Sequence, residues 1–395
     1  MERSFTLVGN VEAKFRELFG EQPLLVRSPG RVNLLGEHTD YNLGFVLPAA
    51  ITKAIYLAAT PRNNTLCRLF ALDLNEEHQF TLDAIRSSEK GWPNYIMGVV
   101  DQLIKGRHVL RGFDCVFGGD IPIGAGLSSS AALEAGVAFA LNHMFDLGIE
   151  NLSLVKLAQK AENEFVGVQC GIMDQYINIF GERGNVLRID CRSLEHRHYP
   201  FDYRDVSILL FDTCISRSLA SSEYNRRRLE CAEGVAAIRK DHRDVESLRD
   251  VSPELLAEYQ KRLNPTIYHR CRYVVEENTR VLAACDALGR RELKAFGAIM
   301  NQTHEGLRDD YEVSCKELDY LVETAANDCR VYGSRMMGAG FGGCTINLVE
   351  TDAIEEISKR IAEMHEKRFK VKPRIYVTSI ASGTNVVHMN EAATV

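Results

Sequence analysis

The sequence predicts an α+β protein of two domains, and three observations carry that expectation. At 395 residues the chain is too long for one ordinary core, taking ~150 residues per domain as a soft guide. Strand-like and helical runs alternate irregularly, without the βαβ rhythm of a doubly wound sheet. A long, mostly helical stretch also separates strand-rich regions on either side. The polar stretch RSLEHRHYPFDYRD, residues 192–205, is the candidate seam, placing one domain at residues 1–204 and the other at 205–395.

The elements follow in order. Val11, Phe15, Leu18 and Phe19 recur at helical spacing and stop at Gly20, a suitable C-terminal cap. Short strand-like runs come next: LLVRS, AIYLAA, CRLFALD and HQFTLD. Trp92 to Ile104 reads as a helix and FDCVFGG as a strand. An Ala-rich helix runs from Leu127 to about Phe145, and another covers Leu152 to Phe165. Asn185 to Cys191 and Val206 to Asp212 read as strands. The chain is then mostly helical to about Cys329, and continues as strand, Gly-rich loop, strand, helix and the strand RIYVTSI.

Composition excludes several classes. A content of 45% hydrophobic and 26% charged residues is that of a soluble globular protein. The formal charge of −7 leaves no basic footprint for nucleic acid or an anionic membrane. No run approaches the ~18 apolar residues of a membrane span. MERSFTLVGNVEAKF has charges where a secretion signal needs its apolar region. Eleven cysteines, an odd count without C-x-x-C, argue for reduced thiols in a cytosolic protein rather than disulfides or a thiolate zinc site.

Four segments carry candidate chemistry. GRVNLLGEHTDYN, Gly30 to Asn42, gathers polar side chains in a density that suits a ligand covered in hydroxyl groups. DIPIGAGLSSSAALEAGVAFAL, Asp120 to Leu141, is a strand end, a Gly-rich turn, three serines and a helix start. Glycines admit a ligand to the backbone, and free N–H groups at the positive end of a helix bind anions such as phosphate. An ordinary capped helix would read similarly, and no Walker G-x-x-x-x-G-K-[ST] occurs. RMMGAGFGGC, Arg335 to Cys344, contains G-x-G-x-x-G, but the strand CTINLVE follows it, whereas a dinucleotide fingerprint opens a helix. AENEFVGVQCGIMDQY, Ala161 to Tyr176, supplies Glu162 and Asp174. Phosphoryl transfer to a hydroxyl needs positioning, charge stabilisation and often a carboxylate for the proton. Arg31, Ser130, Glu162 and Asp174 would form such a set if the fold joined them.

GRVNLLGEHTDYN resembles the galactokinase signature. GAGLSSSAALE and MMGAGFGGC resemble the glycine motifs shared by galactokinase, homoserine kinase, mevalonate kinase and phosphomevalonate kinase, and CGIMDQ and SSEYNRRR resemble galactokinase segments. The motifs run in family order over nearly the whole chain. The resemblance implies a two-domain kinase with a ribosomal-protein-like N-terminal domain, a ferredoxin-like C-terminal domain and an interdomain site. It implies a reaction of ATP with galactose at C1, with Mg²⁺ as cofactor. Asp174 is then the proposed base and Arg31 its charge-stabilising partner. Glu37, His38, Thr39 and Asp40 belong to the sugar site, helped by Gly171 and Tyr224. Gly124, Ala125, Gly126, Leu127, Ser128, Ser129 and Ser130 cradle the triphosphate, and Ser130 and Glu162 hold the metal.

Related readings are a sister kinase acting on N-acetylgalactosamine and a catalytically silent regulator. The intact Ser128–Ala131 run favours an active enzyme. The family more often has Thr, Gly and Ser where this chain has Met337, Ala339 and Ala132. Blander readings apply to Trp92 as core, Arg226 to Arg228 as a partly solvated helix face, and His196 and His198 as strand residues. Cys170 adjoins the catalytic segment without marks of a nucleophile. The sequence leaves oligomeric state open, a monomer included.

Overall fold

The computed structural model describes residues 2–122, 124–215 and 220–388, with the side chains of 2–5 and 220–222 left aside. Helix α1 (Glu2–Phe19) leads into β1 (Leu24–Asn33), β2 (Phe45–Val46), β3 (Pro48–Pro61), β4 (Leu66–Ala71) and β5 (Glu76–Thr81). Then come α2 (Pro93–Lys105), β6 (Phe113–Gly119), α3 (Ser129–Met144), α4 (Asn151–Lys160) and α5 (Met173–Phe180). The strands β7 (Asn185–Asp190), β8 (His196–Pro200) and β9 (Val206–Asp212) follow. Five helices come next: α6 (Ala220–Arg239), α7 (Pro253–Glu258), α8 (Pro265–Gly289), α9 (Leu293–Asp309) and α10 (Lys316–Ala326). Last are β10 (Val331–Met336), β11 (Cys344–Glu350), α11 (Ile354–Phe369), β12 (Arg374–Thr378) and β13 (Asn385–Val386).

A six-stranded sheet of order β13-β1-β3-β6-β4-β5 forms the first body. Only β4 and β6 pair in parallel; the other neighbours are antiparallel. Strand β3 is apolar on both faces, and side chains two apart share a face. Ala54, Tyr56 and Ala58 therefore pack on Val8, Val11 and Phe15 of α1. Ile55, Leu57 and Ala59 turn to the other face, toward Val100, Val137 and Ala138 of α2 and α3. A register shift in β1 between Pro29 and Arg31 bends the strand where it enters the polar loop, and such bulges re-aim a side chain.

The second body is an antiparallel four-stranded sheet of order β10-β11-β9-β12. Here β9 alternates again. Leu209 and Phe211 pack with Leu321, Ile357 and Ile361 of α10 and α11; Ile208 and Leu210 join the cluster holding Phe296 and Met300 of α9. Sheet membership changes between β8 and β9. The stretch read as the seam itself holds a strand, the one to which His196 and His198 were assigned: β8 pairs with β7, Arg188 facing Arg197. Strand β13 is the other surprise, since Val386 of the C-terminal stretch pairs with Val26 of β1. Helix α4 ends in a widened turn, Ala161–Val166, so the expected single helix to Phe165 changes geometry at Glu162. Among the described residues no helix is long and apolar enough to cross a membrane.

Close approach of α9 to β10 depends on Gly297. A Cβ there would lie 1.8 Å from the Tyr332 carbonyl oxygen, which belongs to the backbone and cannot rotate away. Gly297→Ala should therefore destabilise the fold by at least the ~1–3 kcal/mol of an overpacked core. Thermal unfolding of the variant checks this, and an unchanged midpoint would contradict the packing described.

Candidate active site

The polar loop between β1 and β2 lies at the junction of the two bodies, over a cavity of about 520 Å³. Arg31, Glu37, His38 and Asp40 line it from the first motif, and Glu162, Gly171 and Asp174 from the segment that leads into α5. Tyr224 of α6 closes a further side. The separate sequence segments are thus brought together.

Asp174 sits in the first turn of α5. Its two oxygens accept Arg31 Nε at 2.7 Å and Nη2 at 2.8 Å, a two-point pairing that fixes both groups in one plane. Arg31 Nη1 also donates to the Gly126 carbonyl at 2.5 Å, and the Arg31 N–H to the Leu127 carbonyl at 3.2 Å. One arginine thereby registers the carboxylate against the Gly-rich turn. Ser128 donates to Asp174 Oδ2, the oxygen that Arg31 Nη2 also reaches, from a left-handed backbone of φ 58°. No side chain caps α3, so its first N–H groups face the turn without a competing acceptor. Gly124 and Gly126 take φ of 80° and 73°, which lets the backbone fold back there without a Cβ clash. Ala125 and Leu127 are core residues; any ligand contact they make is through the backbone.

Asp40 is half-buried against Gly171, where a Cβ would come within 1.7 Å of its Oδ2, so any side chain there would displace the carboxylate. Burial, then the neighbouring Asp174, pushes the Asp40 carboxyl up to about 7. His38 is held neutral: burial and then Arg227 push it down to about 3. Its Nδ1 meets the Tyr41 hydroxyl at 2.8 Å, which meets Tyr311 at 2.8 Å. Tyr224 packs its ring 5.6 Å from His38. Thr39 corrects an expectation. Its hydroxyl bonds the carbonyls of Gly36 and Phe45 at 2.8 and 2.6 Å, so it closes the loop on itself instead of facing the cavity.

Glu162 accepts Gln175 Nε2 at 2.7 Å and the Cys170 thiol at 3.3 Å, and Ser130 hydrogen-bonds it. Burial raises the Glu162 carboxyl, and still more that of Glu134, which faces it. Two acids so placed form a donor set short of positive charge, which fits a divalent cation. Among the described residues no three acidic, His or Cys side chains could enclose a metal; ligand oxygens would complete the shell, as hard cations accept. Burial also pushes the Cys170 thiol well up, consistent with an inert group.

Several residues that hold the site were missed. Arg335, fully buried in β10, donates to Leu34 O at 2.7 Å, to Asn33 O and to Glu37 Oε1 at 3.1 Å. Gly338 N–H reaches the same Glu37 oxygen at 2.9 Å. Helix α8 grips the loop from the other side. Glu277 accepts Gly36 N–H at 2.7 Å, Asn278 accepts Phe45 N–H at 2.9 Å, and Tyr273 donates to Glu37 O at 3.0 Å. The signal was present: Glu277 and Asn278 interrupt the apolar stripe of a buried helix. Arg227 also departs from a solvated face, being buried with Nε on Tyr311 O at 2.7 Å. Trp92 bonds Glu76 at 2.9 Å beside Phe117.

Comparison with known proteins gives the family. Residues 13–61 match the galactokinase galactose-binding signature, 94–182 the GHMP kinases N terminal domain and 282–367 the GHMP kinases C terminal model. A galactokinase of Roseiflexus sp. (strain RS-1) is 45% identical over 97% of this chain and 98% of its own length. The chain belongs to the galactokinase family. A galactokinase of Clostridium acetobutylicum is 38% identical over 97% of this chain and all of its own. A crystal structure of Lactococcus lactis galactokinase complexed with galactose superposes with a TM-score of 0.91, at 37% identity, over 96% of this chain and all of that one. A Methanococcus jannaschii mevalonate kinase, 19% identical and with a TM-score of 0.67 over 92% of this chain and all of its own, shares the fold. The dinucleotide reading of the Gly-rich loop has no support in this galactokinase fold.

The raised Asp40 carboxyl sets a pH dependence. Accepting hydroxyl protons favours the ionised form, which the free protein holds only above about pH 7. The specificity constant for the sugar, which reports free-enzyme groups, should fall by up to ~10-fold per pH unit below that value. A pH–rate profile flat down to pH 5 would remove Asp40 as a titrating sugar contact.

Proposed function

We propose that the chain transfers the γ-phosphoryl group of ATP to the C1 hydroxyl of α-D-galactose, giving galactose 1-phosphate and ADP. One observation carries the reading. The Arg31–Asp174 pair stands between a Gly-rich turn at an uncapped helix start and a loop of hydroxyl-binding side chains. A phosphate donor on one side and a polyol on the other would meet at that pair.

Asp174 orients the sugar hydroxyl and accepts its proton. Phosphoryl transfer passes through a loose transition state with charge spread over the equatorial oxygens, so positioning and electrostatics dominate. Arg31 supplies a fixed positive charge beside those oxygens while holding the carboxylate still. The turn from Gly124 to Ser130 offers backbone N–H groups and hydroxyls to the triphosphate. Ser130 and Glu162 would hold Mg²⁺, which supplies charge neutralisation on the phosphates when bound. Asp40 reads the sugar with Glu37, His38, Gly171 and Tyr224 around it, and Thr39 is left out of that set. A cytosolic setting is part of the reading, supported by eleven free cysteines.

Asp174→Asn keeps the size and loses proton acceptance. Turnover should fall by the ~10²–10⁴ of a lost general base while galactose affinity by calorimetry changes little; near-normal turnover would remove Asp174 from that role.

Sugar specificity tests the rest of the reading. Galactose and glucose differ in the direction of the C4 hydroxyl, and a carboxylate built to bond it is left unpaired by the other epimer. Such a site can discriminate by as much as ~10⁴. Galactose should be strongly preferred in an ADP-release assay over a panel of free sugars. Asp40→Ala should lower kcat/KM for galactose far more than for glucose. Equal losses on both sugars would show that Asp40 does not read C4.

A further inference from the structure

Glu134 follows Ser130 by four residues on α3, so both side chains leave the same face of the helix. It is wholly buried. One carboxylate oxygen accepts Gln175 Nε2 at 3.3 Å, and the other has no hydrogen-bond partner. Gln175 is equally buried; the same Nε2 reaches Glu162 at 2.7 Å, and its own Oε1 has no partner. Two carboxylates and an amide oxygen therefore share very few donors: one amide group, the Cys170 thiol and the Ser130 hydroxyl.

A network that served packing alone would match donors to acceptors. This one has hard oxygens in excess beside a cavity, the condition a divalent cation relieves. Groups that orient a metal-holding ligand from behind typically change metal affinity by ~10–100-fold when they are removed.

We propose that Glu134, acting through Gln175, is a positioning residue of the divalent-cation site and sets the affinity of that site by holding Glu162 and adding negative charge behind it when the cation is bound. The proposal rests on the reading of Glu162 as a metal-holding residue. Beside a bound cation Glu134 is a negative charge one helical turn below Ser130, and the Gln175 amide fixes the Glu162 oxygen that it bonds.

The test titrates Mn²⁺ into the full chain with a non-hydrolysable ATP analogue, reading free ion by electron paramagnetic resonance. Glu134→Gln should raise the Mn²⁺ Kd by ~10–100-fold and leave galactose affinity unchanged. Its unfolding midpoint without metal should equal or exceed that of the wild type, since a buried acid short of donors becomes a neutral amide. Glu162→Gln is the control. If it weakens Mn²⁺ and Glu134→Gln does not, the proposal fails and the metal reading stands. Wild-type affinity in both variants overturns the metal reading and this inference with it. A lower midpoint with unchanged Mn²⁺ affinity makes Glu134 structural and overturns the proposal. Should Glu134→Gln not fold, Gln175→Met keeps the volume and removes the bridge. A raised Kd there supports the proposal, and an unchanged one overturns it.

Discussion

A loop that carries an Arg, a Glu, a His and an Asp can be buried only if its polar groups find partners, because each orphan keeps its full desolvation cost. In this molecule the partners come from distant sequence. Glu277, Asn278 and Tyr273 take the backbone of Gly36, Phe45 and Glu37. Arg335 takes Asn33, Leu34 and the Glu37 carboxylate. The pairing is also one-sided in its risk. Removing one member of a buried ion pair such as Glu37–Arg335 typically costs ~3–5 kcal/mol, since the other charge stays behind unpaired. The sugar loop and the second sheet are therefore parts of one polar structure.

Local elements were legible because local rules decided them. Val11, Phe15 and Gly20 state a helix and its cap, and the two-faced apolar run of β3 states a buried strand. The motifs GRVNLLGEHTDYN and CGIMDQ pointed to residues that line the cavity. Long-range partners were harder. Glu277 and Asn278 look like helix residues with the wrong polarity until Gly36 and Phe45 arrive beside them. Arg335 stood at the head of a motif whose glycines drew attention away from it. Strand β8 showed only faintly, through His196 and His198, because its polar edge residues lack the apolar alternation that marks a half-buried strand.

Electrostatics set a second condition. The chain carries a formal charge of −7, and the cavity adds Glu37, Asp40, Glu162 and Asp174 around Arg31. A polyphosphate gains nothing from the overall field and must be held by short-range groups. Backbone N–H groups at the start of α3, one arginine and a cation supply that attraction locally, and also confine it to one place.

Strand β13 has a consequence for how the polypeptide is made. Val386 completes a sheet whose neighbouring strand contains Val26, so the first sheet acquires that edge only after the long intervening stretch of chain has been made. Until then β1 exposes a free edge, and unpaired edges invite association with other chains. Strand pairing across so much sequence also carries a large loop-closure entropy and slows the final step. The emerging protein therefore carries one open flank on its first sheet until that distant strand arrives.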